Sequence, residues 1–324
     1  MSSDAFRERL TGYRSRIDEA LLQIAKGAEP AYLYDPIRYV FSGRGKRLRP
    51  VLVFLTASGF GADEEETLPA ALAVEILHNF SLVHDDIMDG DELRHGKETV
   101  HNRWDNSTAI LAGDGIFALA FDQLNRLNDT SVASMRLFTN ATLRLCEGQA
   151  LDKAFETDDE VSVDEYLEMV RLKTGTLLSL CCQLGAVVGE AGDEEVDAVA
   201  AFGELVGQAF QIQDDILEIY SDSEKMGKSL GSDIIAGKKT FLTCKAEELD
   251  RSHWREFMQS LEGESLDERI PKIRDYFGKN GIVTDGEKLV KELSEDAISQ
   301  LEPLPSDVQA NLTPFVQYLM ERKN

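Results

Sequence analysis

Apolar residues recur along the chain at mixed three- and four-residue spacing rather than in strict alternation, which predicts helices and not strands. Segments 162–185 and 193–220 show this pattern most fully. Helix starts fall where a small polar residue precedes a periodic run. Ser162 precedes Val163-Asp164-Glu165, Asp63 or Thr67 opens the helix leading to His84, and Ser306 or Asp307 opens one near the C-terminus. Thr313, followed by Pro314, is a further candidate start for the last helix. Pro30, Pro36, Pro50, Pro271, Pro303 and Pro305 fall near expected breaks, and the glycines at Gly43–Gly45, Gly227–Gly231 and Gly237 mark loops. No stretch has the composition of a linker, so residues 1–324 are expected to form a single all-α domain of about ten helices or more. The helices ending at Asp89 and Tyr220 are apolar on most sides and should lie centrally.

Composition adds a constraint. The chain carries 34 Lys and Arg against 59 Asp and Glu, a formal net charge of −25. So acidic a surface disfavours nucleic acid as a partner. The excess reads as solvated helix faces, and more sharply as adaptation to a high-salt interior, where it would be screened. No run approaches the roughly 18 apolar residues of a membrane span. The charged N-terminus has no apolar core of a secretory leader. Cys146, Cys181, Cys182 and Cys244 lack metal-ligand spacing and read as reduced thiols of a cytoplasmic protein.

Two segments echo each other: Leu82-Val83-His84-Asp85-Asp86-Ile87-Met88-Asp89 and Gln211-Ile212-Gln213-Asp214-Asp215-Ile216-Leu217-Glu218. Each is an acidic pair, two apolar residues and a third acid at the end of an apolar helix. At i and i+4, Asp85 and Asp89 share a helix face, and so do Asp214 and Glu218. Carboxylates so placed repel one another unless a cation neutralises them, and oxygen ligands without His or Cys suit Mg²⁺. The segment Gly43-Arg44-Gly45-Lys46-Arg47-Leu48-Arg49-Pro50 sets four cations beside two glycines, and in an acidic chain this reads as an anion site. Arg94, Lys173, Lys228, Lys238 and Lys239 add charge near other motifs. Paired carboxylates for metal and clustered Lys and Arg together describe a diphosphate clamp.

These motifs, with Gly113-Asp114, Lys173-Thr174-Gly175, Phe210-Gln211, Gly227-Lys228 and Asp233 through Gly237-Lys238-Lys239-Thr240, resemble the trans-isoprenyl diphosphate synthases, and within them the archaeal type that makes geranylgeranyl diphosphate. The resemblance implies a large helical bundle of the isoprenoid synthase type, with the two acidic motifs facing each other across a central active-site cavity, and a homodimer. It implies that isopentenyl diphosphate condenses with an allylic diphosphate by Mg²⁺-assisted ionisation, condensation and elimination. Asp85 and Asp89, with Asp214, would hold three Mg²⁺ ions; Asp86, Asp215 and Glu218 complete the two motifs. Arg94, Lys173, Lys228 and Lys238 would contact the allylic diphosphate, and Lys46, Arg49 and His78 the isopentenyl diphosphate. Thr174 and Gln211 would turn oxygen dipoles toward the allylic cation.

Three departures stand out. His95 replaces an arginine that helps bind isopentenyl diphosphate, which weakens that contact or makes it pH-dependent. Glu218 replaces the third aspartate of the second motif, and a proline that some members carry after Lys-Thr gives way to Phe241-Leu242-Thr243. Product length is set beneath the first motif, where Ser81 and Phe80 lie about one turn deeper than Asp85. One aromatic with a small neighbour resembles the pattern for a C20 product; farnesyl or longer-chain synthesis is the alternative. His84 and His101 lack partners at zinc spacing, His253 reads as surface, and Gln149 and Asp152 are candidates to line the tail cavity or support its lining. A terpene cyclase shares the fold and first motif but needs no Lys46–Arg49 loop. A non-catalytic partner subunit would lack the aspartates.

Overall fold

The computed structural model describes residues 3–43, 45–94, 96–220, 234 and 237–320. Arg44, His95, Lys228 and Asp233 lie outside the described residues. The described chain is almost wholly helical, as its periodicity predicts. The exception is a short antiparallel hairpin, β1 (Leu93–Arg94) with β2 (Lys97–Glu98), pairing Leu93 with Glu98 and Arg94 with Lys97. Two compact units emerge: Met1–Asn140 with Leu180–Ala200 and Leu301–Phe315, and Ala141–Ser179 with Ala201–Gln300 and Val316–Asn324.

The first unit holds α1 (Ser3–Ile24), α2 (Ala31–Phe41), α3 (Leu48–Gly59), α4 (Glu64–Asp89), α5 (Val100–Arg103) and α6 (Asn106–Leu124). Its axis is α4, which packs on α3 and α6. Asp63 caps α4 by accepting the Glu66 N–H at 2.9 Å, a bond of a kind that stabilises a helix by about 1 kcal/mol. Three glutamates in its first turn complement the helix dipole. Residues 70–77 are buried without interruption, so this stretch of α4 is enclosed on every side and central to the unit. Gly90, at φ +68, ends it in the left-handed conformation that glycine adopts without steric cost. Tyr13 stacks on Phe54 at 4.7 Å, and Arg9 reaches Asn311 and Ser58, both at 2.8 Å.

The helices α7 (Ser131–Phe155), α9 (Thr176–Val188) and α10 (Asp193–Tyr220) each contribute residues to this unit and to the second. The second unit also contains α8 (Val163–Val170), a π-helical turn at Arg171–Gly175, α11 (Phe241–Ser260), α12 (Leu266–Lys279) and α13 (Ile282–Gln300). Ser162, the expected helix start, forms a capping box with Glu165 at the start of α8. Phe155, Tyr166, Ile212, Ile216, Phe241, Trp254 and Phe277 share one apolar core.

The prolines behave differently from expectation. Pro36 and Pro271 sit inside α2 and α12, each in the second turn, where the cost is limited to one ladder bond near a helix end. The last helix, α14 (Ser306–Met320), starts at Ser306 and carries Pro314 within it, so Thr313 opens nothing.

Candidate active site

In the first unit, α4 ends in the acidic motif. Asp85 and Asp89 are partly exposed, whereas Asp86 is buried. The β1–β2 hairpin folds Arg94 back so that its Nε donates to Asp86, while its fork also reaches Asp91 at 3.3 Å. Burial pushes the Asp86 carboxyl up to about 6 against the pull of Arg94. Sequence reasoning placed Asp86 in the metal set and Arg94 on the diphosphate; here the two are paired with each other, and Asp85 and Asp89 are the more exposed acids of the motif.

Two turns earlier on α4, His78 Nε2 lies 3.1 Å from Arg49 Nη1. His78, Asp85 and Asp89 stand at i, i+7 and i+11, which puts them on one helix face. Lys46 is exposed in the loop before α3. Arg47 departs from the expected anion cluster. It is buried, and its fork meets Glu75 at 2.5 Å and Asp18 at 2.8 Å. Burial holds the Glu75 carboxyl above its ordinary range even with Arg47 beside it.

The second motif, on α10, repeats the division. Asp214 and Glu218 are partly exposed, while Asp215 is buried. Asp215 accepts from the Tyr166 hydroxyl, from the Phe241 N–H at 2.9 Å and from Gln211 Nε2 at 3.1 Å. Burial pushes its carboxyl up to about 7 against these bonds. Gln211 in turn accepts the Thr174 hydroxyl through Oε1 at 3.1 Å. Tyr166, Asp215, Gln211 and Thr174 therefore form one chain of hydrogen bonds that fixes which way the Gln211 amide faces.

Lys173 and Thr174 sit on the π-helical turn, a local widening that often marks a functional position. Lys173 Nζ is 2.6 Å from Asp152 of α7. Gly148 makes this approach possible, since a Cβ there would lie 2.5 Å from the Lys173 backbone nitrogen. Gly207 and Gly175 pack as closely, with 2.5 Å between a Gly207 Cβ and the Gly175 Cα. Lys238 is half-buried just before α11. Among the described residues no three acidic, histidine or cysteine side chains gather into a ready-made cation cage. Each motif instead offers two carboxylates on one helix face, a donor set that fits Mg²⁺ when waters and phosphate oxygens complete its shell.

Phe80 is partly buried, with its ring 4.6 Å from His84 and 4.9 Å from Phe117 of α6, while Ser81 bonds back to the His78 carbonyl. Gly113 leaves the space that the His84 imidazole fills.

Residues 30–276 match the polyprenyl synthetase family. The chain belongs to that family. It is accordingly a prenyltransferase of the isoprenyl diphosphate synthase kind. A geranylgeranyl pyrophosphate synthase of Geoglobus acetivorans is 37% identical over 99% of both chains. A geranylfarnesyl diphosphate synthase of Natronomonas pharaonis is 31% identical, also over 99% of both. The crystal structure of a geranylgeranyl pyrophosphate synthetase from Pyrococcus horikoshii superposes with a TM-score of 0.90 at 33% identity, covering 98% of this chain and 99% of that one.

Sequence reasoning missed Tyr166, Glu75 and the inward turn of Arg47. Tyr166 has no motif spacing of its own, and only the fold brings it to Asp215. Glu75 was open to notice as an acid inside an uninterrupted apolar run.

Proposed function

We propose that this prenyl synthase lengthens an allylic diphosphate with isopentenyl diphosphate, most consistently to geranylgeranyl diphosphate (C20), using residues 1–324 as one catalytic domain. The observation that carries this reading is the shared face of α4. One end bears His78 beside Arg49, a site for an anion, and the other bears Asp85 and Asp89, a site for a cation.

Lys46, Arg49 and His78, with His95, bind isopentenyl diphosphate. Asp85 and Asp89 of the first motif and Asp214 and Glu218 of the second hold Mg²⁺, with three ions expected. Bound there, Mg²⁺ supplies positive charge to the departing diphosphate. Lys173, Lys228 and Lys238 add fixed cations for the same charge, and preorganised charge lowers the barrier because it needs no rearrangement during the reaction. Thr174 and Gln211 direct oxygen lone pairs at the allylic cation. An apolar lining around Phe80 keeps water from quenching that cation before the isopentenyl double bond attacks. The final proton loss goes to the released diphosphate. Asp86 and Asp215 orient their neighbours rather than binding metal.

The protein is expected to act as a homodimer in the cytoplasm. Exposed Ile110 and Leu111 of α6 and Val132 and Leu143 of α7 supply apolar surface for a second copy, and the unbridged cysteines suit a reducing compartment. No helix among the described residues is long and apolar enough to cross a membrane.

The test is incubation with labelled isopentenyl diphosphate, Mg²⁺ and each allylic primer in turn, followed by chromatography of the products. A C20 product supports the reading, a C15 or C25 product moves the chain length, and no product with any primer overturns it.

A further inference from the structure

Lys46 and Arg49 bracket a residue that turns the other way. Arg47 is 6% exposed and adopts φ 47, ψ 35, a left-handed conformation that costs an L side chain steric strain. Its guanidinium bridges three parts of the first unit: Nε reaches Asp18 of α1 at 2.8 Å, Nη1 reaches Glu75 of α4 at 2.5 Å, and Nη2 reaches the Gly43 carbonyl at 2.5 Å. Because Arg47 points inward, the turn leaves Lys46 exposed and Arg49 half-buried beside His78.

Glu75 works from the opposite side. It lies one helical turn before His78, and the Asn79 amide bonds to its carbonyl at 2.7 Å. The same helix therefore grips the loop through Glu75 and presents His78 to Arg49. A buried ion pair commonly adds little stability over well-packed apolar side chains of similar size. Its presence under a strained turn is better explained by the geometry it imposes.

We propose that Arg47 and Glu75 are positioning residues for isopentenyl diphosphate. They lock the loop in the left-handed turn that aims Lys46 and the Arg49–His78 pair at the diphosphate, and they do not touch the substrate themselves. This rests on the reading of Lys46, Arg49 and His78 as the isopentenyl diphosphate site.

The experiment compares the full-length wild type with Glu75→Gln and with the double variant Arg47→Met/Glu75→Met, in which apolar chains of similar length replace the pair. KM is measured for each substrate, Kd for isopentenyl diphosphate alone by calorimetry, and Tm by thermal melt. In the double variant, KM and Kd for isopentenyl diphosphate should rise about tenfold, as expected for misplaced binding groups. KM for the allylic diphosphate should stay within about twofold, a split that general loosening of the fold would not produce. If the double variant does not fold, Glu75→Gln carries the same comparison. A folded variant with unchanged isopentenyl diphosphate binding, or with both KM values rising together, overturns the proposal alone. A wild type that binds no isopentenyl diphosphate overturns the reading of the site with it.

Discussion

The phenol of Tyr166 donates a buried hydrogen bond to Asp215, the second aspartate of a motif whose outer acids, Asp214 and Glu218, remain partly exposed. The first motif repeats the arrangement with a different donor, since Arg94 engages the buried Asp86 while Asp85 and Asp89 remain partly exposed. In both, the middle carboxylate faces the protein because adjacent positions on a helix point about 100° apart, and i and i+4 alone share a face. The two acids of each pair thus have different surroundings.

That division predicts opposite behaviour for neighbouring substitutions. Asp214→Ala removes a charge proposed to hold metal and should lower kcat on the order of 100-fold or more while leaving the urea unfolding midpoint in place. Asp215→Ala strands the Tyr166 hydroxyl, the Phe241 N–H and the Gln211 amide, and should cost about 1–3 kcal/mol of stability for the buried groups left unpaired. Steady-state kinetics and urea titration of the two variants check this; matching profiles would show that the division is wrong.

Glycine supplies a second contrast. Gly148→Ala would push a Cβ to 2.5 Å from the Lys173 backbone nitrogen and 2.8 Å from its Cα, atoms that cannot swing aside. The π-helical turn must then shift, so kcat should fall about tenfold or more as Lys173 moves from the place in which it is proposed to meet the diphosphate. Gly12→Ala in α1 meets nothing within 4 Å. It should stabilise the protein by about 0.5–1 kcal/mol, because alanine loses less backbone freedom on folding. Equal effects in the urea titration and the kinetic assay would mean that the close approach at Gly148 is not maintained in solution.

Periodicity was enough to read α4 and α10 to their last residues, since an apolar helix that stops at a charged motif has few alternative ends. Caps at Asp63 and Ser162 were legible because they act on their own first turn. What escaped depends on contacts distant in sequence. Tyr166 and Asp215 are separated by 49 positions, and Arg47 and Glu75 by 28. A cation count over 43–50 sees four similar charges, while burial turns Arg47 inward to an acid on another helix. Pro36 and Pro271 misled for a local reason: a proline in a helix's second turn forfeits one bond, which packing offsets.

The charge of −25 predicts a protein that salt stabilises. Screening shortens the range of repulsion from about 10 Å at 0.1 M to about 3 Å at 1 M ionic strength. Salt also screens attractive surface pairs such as Arg126–Asp122 and Lys288–Glu292, but exposed pairs contribute only about 0–1 kcal/mol each. Net repulsion should dominate, so the melting temperature should climb through rising KCl. A flat or falling curve would leave the acidic surface without this role.

Phe80 tests what bounds the product. Its ring rests on Phe117, which meets Phe121 at 5.2 Å and Phe138 at 6.2 Å, so the aromatic layer is at least two rings deep. Phe80→Ala removes the first ring and should shift the products toward C25 and longer when they are resolved by chromatography. Phe117→Ala alone should change little, because Phe80, proposed as the floor, stays in place. The double variant should then lengthen the product beyond either single one, as stacked barriers act in series. An unchanged product distribution from Phe80→Ala would place the floor elsewhere, and a Phe117→Ala variant that lengthens the product alone would make that ring the barrier.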